Sequence, residues 1–310
     1  MMDNSTEQVF ILGAPRSGTT FLASLMKHTR YKAPFETHFI PKYYKKLQKY
    51  GDLNDVKNFG KLVKDILSER PIAQHKISID LDKFFAEFAG NVTYPALVDA
   101  ICLQCIQNNE ARAWGDKTPF YLDELEIIYQ LFPNAKYFYI VRDGRDVALS
   151  LLEKDWGPNN LYACANYWNK LNRESNTLDK IKKEGRLLTL KYEEILENPE
   201  GFINKINQFL DEHDINQSNI QKLLSTVKKN NYYKWKSRLS PKQQQLFEAV
   251  AHDALRRFGY ETNSIPIKIS GLKRAYYFIH DKLLWMKNMF VMNVIDTIKI
   301  KYFGKEPFAD

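Results

Sequence analysis

Short apolar runs alternate with helix-like segments along most of the chain. Gln8–Leu12 predicts a buried strand, and Phe21–His28, which follows a break of Gly, Pro and Ser, predicts a helix. The same order recurs where Lys136–Val141 precedes a helical stretch at 146–152, and again after Arg186–Leu190. Strands that alternate with helices form parallel sheets with right-handed crossovers. The pattern therefore predicts an α/β fold with a parallel β-sheet flanked by helices.

Two segments interrupt this alternation. Residues 41–109 have a helical, polar pattern without a strong strand, which predicts a helical substrate cap inserted into a core domain of residues 1–265. A shorter strand is predicted at Ala111–Trp114. Residues 266–310 interleave Lys and Arg with aromatic and aliphatic side chains, which predicts a basic amphipathic C-terminal helical extension.

Composition narrows the class of protein. With 44% apolar and 26% charged residues among 310, the chain is typical of a globular protein rather than a disordered or fibrous one. Its net charge of +8 suits an anionic partner, and its three cysteines fit a reducing compartment. We find neither a signal-peptide pattern at the start nor an apolar stretch of membrane-spanning length, so we expect a cytoplasmic protein.

The turn after the first predicted strand has the composition of a phosphate-binding loop. Gly13 and Gly18 match the two glycines of a P-loop and Thr20 matches its hydroxyl position, but Thr19 replaces the lysine. Such a turn directs backbone N–H groups and a helix dipole at one anion. Arg16 supplies the positive charge, and without the lysine a triphosphate ligand is disfavoured. The alternative is an ordinary strand-to-helix turn with a solvated arginine.

The run Pro15–Leu22 resembles the 5′-phosphosulfate loop of sulfotransferases that use 3′-phosphoadenylyl sulfate (PAPS). The similarity is to the branch containing protein-tyrosine sulfotransferases and bacterial carbohydrate or small-molecule sulfotransferases. It implies a P-loop-like three-layer sandwich with PAPS as co-substrate and adenosine 3′,5′-bisphosphate as product. The loop residues that it implies in co-substrate binding are Arg16, Ser17, Gly18, Thr19 and Thr20.

A second segment resembles the 3′-phosphate motif of the same family. Arg142 stands at the end of a predicted strand and Ser150 follows eight residues later on the predicted helix. A guanidinium and a hydroxyl on one side of such a helix can clamp a terminal phosphate, and α/β ligand sites lie at the carboxyl ends of strands. The alternative is a solvated loop in which Arg142, Asp143, Arg145 and Asp146 pair among themselves.

Two further co-substrate contacts are implied by resemblance. Tyr192 matches a tyrosine that approaches the co-substrate at a strand end, although an aromatic that caps the sheet edge would have the same pattern. Lys234, which precedes Trp235, matches the segment that closes over the 3′ side.

The resemblance also implies the catalytic groups. Glu36 matches the family's general base, and its apolar neighbours lead us to expect a raised pKa. His38 is the rival base, with substrate contact as its other role. Lys117, in the turn Trp114–Pro119, would stabilise the transferring sulfuryl oxygens beside Arg16.

No metal is implied, because a sulfuryl group carries less negative charge than a phosphoryl group. The isolated Cys102 and Cys105 pair predicts buried side chains rather than a metal site. We therefore expect a PAPS-dependent, metal-independent sulfotransferase that acts on a hydroxyl of a carbohydrate, lipid or small molecule and binds no nucleic acid. A P-loop nucleotide kinase and an inactive nucleotide-binding or membrane-docking protein are the alternatives. The extension could contact a membrane, form a homodimer or fold back on the core.

Overall fold

The computed structural model describes residues 6–32, 34–106, 112–211, 215, 217–226, 232–262 and 267–303. Predictions that fall on the intervening residues, among them Ala33, Asn109, Ala111 and the ends of residues 266–310, lie outside this description. The chain divides into two compact units. The first comprises Met1–Val141 with Glu174–Lys228, and the second comprises Arg142–Arg173 with Lys229–Asp310.

A parallel four-stranded sheet lies in the first unit. Its strands are β1 (Glu7–Leu12), β2 (Ala113–Asp116), β3 (Lys136–Val141) and β4 (Leu187–Lys191). They are ordered β2-β1-β3-β4, and every neighbouring pair is parallel. The predicted strands are confirmed, with boundaries that differ by one or two residues.

Helices account for most of the remaining described structure. In chain order they are α1 (Thr19–Met26), α2 (Phe39–Tyr44), α3 (Val56–Leu67), α4 (Arg70–Ala73), α5 (Leu81–Ala86), α6 (Tyr94–Ile106), α7 (Leu125–Leu131), α8 (Gly144–Leu151), α9 (Leu161–Leu171), α10 (Asn176–Lys183), α11 (Glu194–Glu197), α12 (Pro199–Leu210), α13 (Gln217–Thr226), α14 (Trp235–Arg238), α15 (Pro241–Arg257) and α16 (Gly271–Phe303). In the described part of residues 41–109 we find helices and no strand, as predicted. A role of this segment as a substrate cap stays a prediction.

Both faces of the sheet are buried along β1, β2 and β3, which explains the apolar runs of these strands, while the edge strand β4 is only partly buried. Val9, Ile11 and Ile140 belong to a core cluster that includes apolar side chains of α1 and α12. On alternate positions, Phe10 stacks on Tyr137 with ring centroids 5.6 Å apart, and both rings are fully buried. A parallel sheet covered on both faces is a three-layer α/β fold, so the predicted fold class is confirmed.

The second unit is helical in its described residues. Gly144, at the start of α8, lies where α9 and α15 meet that helix. A Cβ at this position would stand 2.5 Å from Trp168 and 2.8 Å from Phe247, so only glycine allows this close packing. Within the described residues, no helix has the combination of length and apolarity that a membrane span requires. The predicted domain division between residues 265 and 266 stays a prediction.

Candidate active site

The loop between β1 and α1 is built around two glycines. A Cβ at Gly13 would stand 2.6 Å from the carbonyl oxygen of Ile140, so the loop can leave the sheet this closely only with glycine there. Gly18, the N-cap of α1, has φ +96, and a Cβ there would stand 2.4 Å from the Tyr192 ring. Arg16 also has a left-handed backbone, with φ 72. Strain held at a non-glycine residue indicates a functional loop.

Hydroxyl groups line the end of this loop at the start of α1. The Ser17 side chain is fully buried, and its Oγ has no hydrogen-bond partner among the described residues. Thr19 is buried as well, whereas Arg16 and Thr20 are exposed. Because the first N–H groups of a helix also lack intrahelical partners, this end of α1 can accept an anion.

Tyr192 lies directly beside the loop. It follows β4, its N–H donates to the carbonyl of Val141 at 2.8 Å, and its buried ring covers Gly18. The structure thus brings Tyr192 and the loop together within the first unit. The contact of Tyr192 with a co-substrate stays a prediction.

Glu36 lies between two basic side chains. Its Oε1 accepts a hydrogen bond from Lys117 Nζ, and its Oε2 lies 2.8 Å from His38 Nε2. Glu36 and His38 are partly exposed, while the Lys117 side chain is more deeply buried. His38 has a left-handed backbone with φ 53 at the N-cap of α2. The predicted base, its rival and the predicted sulfuryl-stabilising lysine therefore form one hydrogen-bonded group.

The expected raised pKa of Glu36 is wrong. Burial does raise the pKa of this carboxyl, but the hydrogen bonds from His38 and Lys117 and the charge of Lys117 outweigh it and bring the pKa to about 2. The sequence showed the apolar neighbours but not the lysine, which is 81 residues away in the chain. Glu36 is consequently an ionised carboxylate at neutral pH.

A buried aspartate, which the sequence analysis missed, organises this group. Asp116 accepts hydrogen bonds from the backbone N–H and the hydroxyl of both Thr37 and Thr118, at 2.8 to 3.0 Å. The Lys117 N–H also donates to the Phe35 carbonyl at 2.9 Å. The segment that carries Glu36 is thereby fixed to the turn that carries Lys117. The threonine that directly follows each matched residue, Thr37 after Glu36 and Thr118 after Lys117, was the available signal.

The Asp116 carboxyl leads to a prediction about the pH dependence of stability. Burial raises its pKa from 3.8 to about 6, against the lowering effect of its four hydrogen bonds. When the pKa of a carboxyl is higher in the folded than in the unfolded protein, the free energy of unfolding falls as the pH rises between those two pKa values. Urea denaturation should therefore show wild type losing stability relative to Asp116→Asn between about pH 4 and pH 6. A difference independent of pH would contradict the raised pKa.

The predicted 3′-phosphate residues belong to the second unit. Arg142, the residue after β3, is buried, and its carbonyl accepts a hydrogen bond from Trp168 Nε1 at 3.2 Å. Burial raises the pKa of Asp146, while the charge of Arg142 lowers it in part. Ser150 is half-buried on α8. The Arg142 end of α8 is therefore a buried region in which positive and negative charges face each other.

Lys234 is attached to the same region of the second unit. It is the N-cap of α14, and the N–H of its neighbour Trp235 donates to Asp146 Oδ1 at 3.0 Å. This bond joins the Lys234 segment to α8 across 89 residues of chain. Thus Arg142, Ser150 and Lys234 lie on connected elements of the second unit. Their contact with a 3′-phosphate stays a prediction.

The three cysteines lie in the interior of the fold. Cys102, Cys105 and Cys164 are free thiols and are buried. Burial raises the pKa of Cys105 to about 12, so this thiol is un-ionised at neutral pH. Among the described residues, no group of three or more His, Cys, Asp or Glu side chains is arranged to hold a metal ion.

Comparison with known proteins decides the family. The sequence pattern of the sulfotransferase family matches residues 8–215, which include the loop, Glu36, Lys117, Arg142 and Tyr192. The chain belongs to the sulfotransferase family. The match ends before Lys234 and before α14–α16.

Relatives of this sulfotransferase-family chain include protein-tyrosine sulfotransferase A of Caenorhabditis elegans, 25% identical over 83% of this chain and 68% of that protein. The protein-tyrosine sulfotransferase of Drosophila melanogaster is 25% identical over 66% of this chain but only 38% of its own length. The sulfotransferase domain of the Synechococcus PCC 7002 olefin synthase has the same fold. It aligns with a TM-score of 0.52 and 21% identity, over 84% of this chain and 97% of that one.

Proposed function

We propose that the chain transfers a sulfuryl group from PAPS to a hydroxyl of an acceptor and releases adenosine 3′,5′-bisphosphate. The observation that carries this proposal is the β1–α1 loop. There a buried Ser17 hydroxyl, unpartnered among the described residues, lies at the start of α1 beside the strained Arg16. A phosphosulfate oxygen would satisfy that hydroxyl, and family membership supports the assignment.

We assign the two ends of the co-substrate to different residues. Arg16 and the loop residues Ser17, Gly18, Thr19 and Thr20 would hold the 5′-phosphosulfate, because exposed helix N–H groups and a guanidinium bind such an anion. The residues that would hold the 3′-phosphate and contact the nucleotide are Arg142, Ser150, Lys234 and Tyr192. The buried positive charge of Arg142 supports its role.

Glu36 would act as the general base. With its pKa at about 2 it is ionised and able to accept the proton of an acceptor hydroxyl, although a carboxylate so stabilised is a weak base. Lys117 donates to Glu36 and would also stabilise negative charge at the sulfuryl oxygens, together with Arg16. If Lys117 turns from Glu36 to the sulfuryl oxygens, the loss of its hydrogen bond raises the pKa of Glu36 and makes Glu36 a stronger base. PAPS supplies the activated sulfuryl group, and no metal is required.

The acceptor is proposed only as a class. Carbohydrate, lipid and small-molecule hydroxyls remain the expectation from sequence, and the relatives named protein-tyrosine sulfotransferases add a tyrosine hydroxyl on a peptide. A screen of these four classes with labelled PAPS would identify the acceptor by the transfer of label.

Binding of the product nucleotide tests the proposal directly. Calorimetry in the presence of a chelator should show binding of adenosine 3′,5′-bisphosphate to the wild-type chain. Arg16→Ala should weaken it about tenfold or more, since a charge-assisted hydrogen bond contributes about 1.5 to 3 kcal/mol. Lys27→Ala, an exposed lysine just beyond α1, is the matched control and should bind as wild type does.

Two results would contradict the proposal. One is preferential binding of ATP with Mg²⁺, which would favour the nucleotide-kinase alternative. The other is unchanged affinity for the bisphosphate in Arg16→Ala, which would remove the loop from the binding site. Cytoplasmic location and a membrane or homodimer contact through residues 266–310 also stay proposals.

A further inference from the structure

The long helix α16 packs against the rest of the second unit along one face of the helix. Asp281 accepts a hydrogen bond from the Asn159 N–H at 2.7 Å, and Asn160 Nδ2 donates to the Tyr277 carbonyl at 2.9 Å. The Tyr277 ring stacks on Tyr162 of α9 with centroids 5.2 Å apart. These contacts fix which side of α16 faces its own unit and which side faces away.

The opposite side of α16 carries an exposed apolar stripe. At about 100° per residue, its six members fall within roughly 80° of arc, and Tyr277 and Asp281 lie about 140 to 180° from the centre of that arc. Leu272 and Phe290, at its two ends, are 87% and 70% exposed. The stripe consists of Leu272, Tyr276, Ile279, Leu283, Met286 and Phe290. Contiguous exposed apolar surface of this kind marks an interaction site.

Basic side chains border the stripe. Lys282 lies on one edge, and its Nζ stands 5.8 Å from the Phe278 ring centroid and 5.6 Å from that of Trp285. Lys287 lies on the other edge, by the same helical spacing. Lysines that border an exposed apolar stripe are typical of helices that lie in a membrane interface.

A basic cavity opens at the N-terminal end of the same helix. It has a volume of about 390 Å³ and is lined in part by Lys242, Lys268 and Lys273, with Ile269 and Tyr277 beside them. Three lysines around a cavity of this size suit an anion, and the apolar side chains suit the carbon atoms attached to it. Because Lys273 and Tyr277 lie about 100 to 140° from the centre of the stripe, the cavity forms no part of the face that carries the stripe.

We propose that α16 docks this protein on an anionic lipid bilayer, with the apolar stripe in the headgroup–acyl boundary and the bordering Lys282 and Lys287 on lipid phosphates. The charge of the described surface favours this occupant over a second copy of the chain. Residues 271–291 contain the basic residues Lys273, Arg274, Lys282 and Lys287, against Asp281 as their one acidic residue. Two such helices packed stripe to stripe would place lysines against lysines, whereas an anionic surface attracts both edges.

Vesicle co-sedimentation of the full chain tests this docking. Wild type should bind phosphatidylcholine vesicles that contain phosphatidylserine, should bind pure phosphatidylcholine weakly, and should dissociate as salt is raised. Lys282→Glu/Lys287→Glu should lower the partition coefficient about thirtyfold or more, because each basic residue near the surface contributes about 1 kcal/mol. Leu283→Glu/Phe290→Glu should lower it by a comparable factor.

The control variant is Lys57→Glu/Lys83→Glu, which makes the same charge change at exposed lysines of the first unit and should bind as wild type does. Equal binding of all the variants would overturn the proposal. A dimer in sedimentation velocity that Leu283→Glu/Phe290→Glu dissociates, without vesicle binding by wild type, would identify a second copy as the occupant instead. The assay uses no acceptor or nucleotide, so its outcome is independent of the proposed sulfotransferase activity.

Discussion

Replacement of Glu36 by Gln should lower the turnover number by about 10²- to 10⁴-fold, the usual contribution of a general base. The amide keeps the shape of the side chain and can still contact His38 and Lys117, but it cannot take a proton from an acceptor. Affinity for adenosine 3′,5′-bisphosphate should change little, because that nucleotide is assigned to other residues. Steady-state kinetics with labelled PAPS and calorimetry on the same preparation separate the two quantities.

The pH profile distinguishes Glu36 from His38 as the base. A carboxylate with a pKa of about 2 stays ionised throughout the working range, so the rate should not decline between about pH 8 and pH 5 through its protonation. A reaction that depends on a neutral imidazole slows as the pH falls and the imidazole becomes protonated. Loss of turnover in His38→Gln, with mild loss in Glu36→Gln, would reverse the assignment.

Glu124→Gln is a matched control for the first experiment. Glu124 pairs with Lys45 at 2.6 Å in the same unit, so its replacement also removes a carboxylate from an ion pair with lysine. Exposed pairs of this kind contribute about 0 to 1 kcal/mol, and turnover should remain at the wild-type level. A similar loss in both variants would indicate a general effect of charge rather than proton transfer.

The sequence was sufficient to predict the sheet and the loop because both are determined locally. β1 and β3 are continuous apolar runs, and glycines at fixed spacing mark the turn into α1. In the structure Gly13 and Gly18 allow approaches that a Cβ would block. The local pattern and the close packing both require glycine at these positions, so the predicted order of strand, turn and helix was accurate there.

The electrostatics of the site were not predictable in the same way. The pKa of Glu36 depends on Lys117, and the pKa of Asp116 depends on Thr37, in each case across about 80 residues of chain. Apolar neighbours in sequence say little about which charges approach a carboxylate in the fold. Resemblance named Glu36 and Lys117 as separate contributors, but only the fold joins them, by a direct hydrogen bond and by the bonds of Asp116 to Thr37 and Thr118.

The segment Arg142–Asp146 is the clearest case of electrostatics that depend on residues distant in the sequence. As a sequence it fits a solvated loop whose charges pair with one another, and one such pair does form, between Arg145 and Asp143 at 2.8 Å. The pair is fully buried rather than solvated, and Arg145 Nη1 also donates a hydrogen bond to Glu248 Oε1 at 2.9 Å, across 103 residues of chain. The sequence could not indicate the distant carboxylate that makes burial of this arginine tolerable.

Arg145→Met should therefore destabilise the protein by about 3 to 5 kcal/mol, the usual cost of removing one partner from a buried ion pair. Asp143 and Glu248 would keep their fully buried carboxylates without the guanidinium that pairs with both. The Arg145 guanidinium also lies 3.4 Å from the Trp235 ring centroid, so the loss should loosen the segment that carries Lys234. Urea denaturation measures the stability, and calorimetry should show weaker binding of adenosine 3′,5′-bisphosphate.

Two variants show whether burial is the cause. Arg238→Met removes an exposed arginine of the same unit that pairs with Glu153 at 3.6 Å, and it should cost no more than about 1 kcal/mol. Asp143→Asn/Arg145→Met/Glu248→Gln removes all three charges and should recover most of the lost stability, because the two buried carboxylates that paired with the guanidinium are then neutral as well. If the triple variant were as unstable as Arg145→Met, the loss would lie in packing against Trp235 rather than in the buried charges.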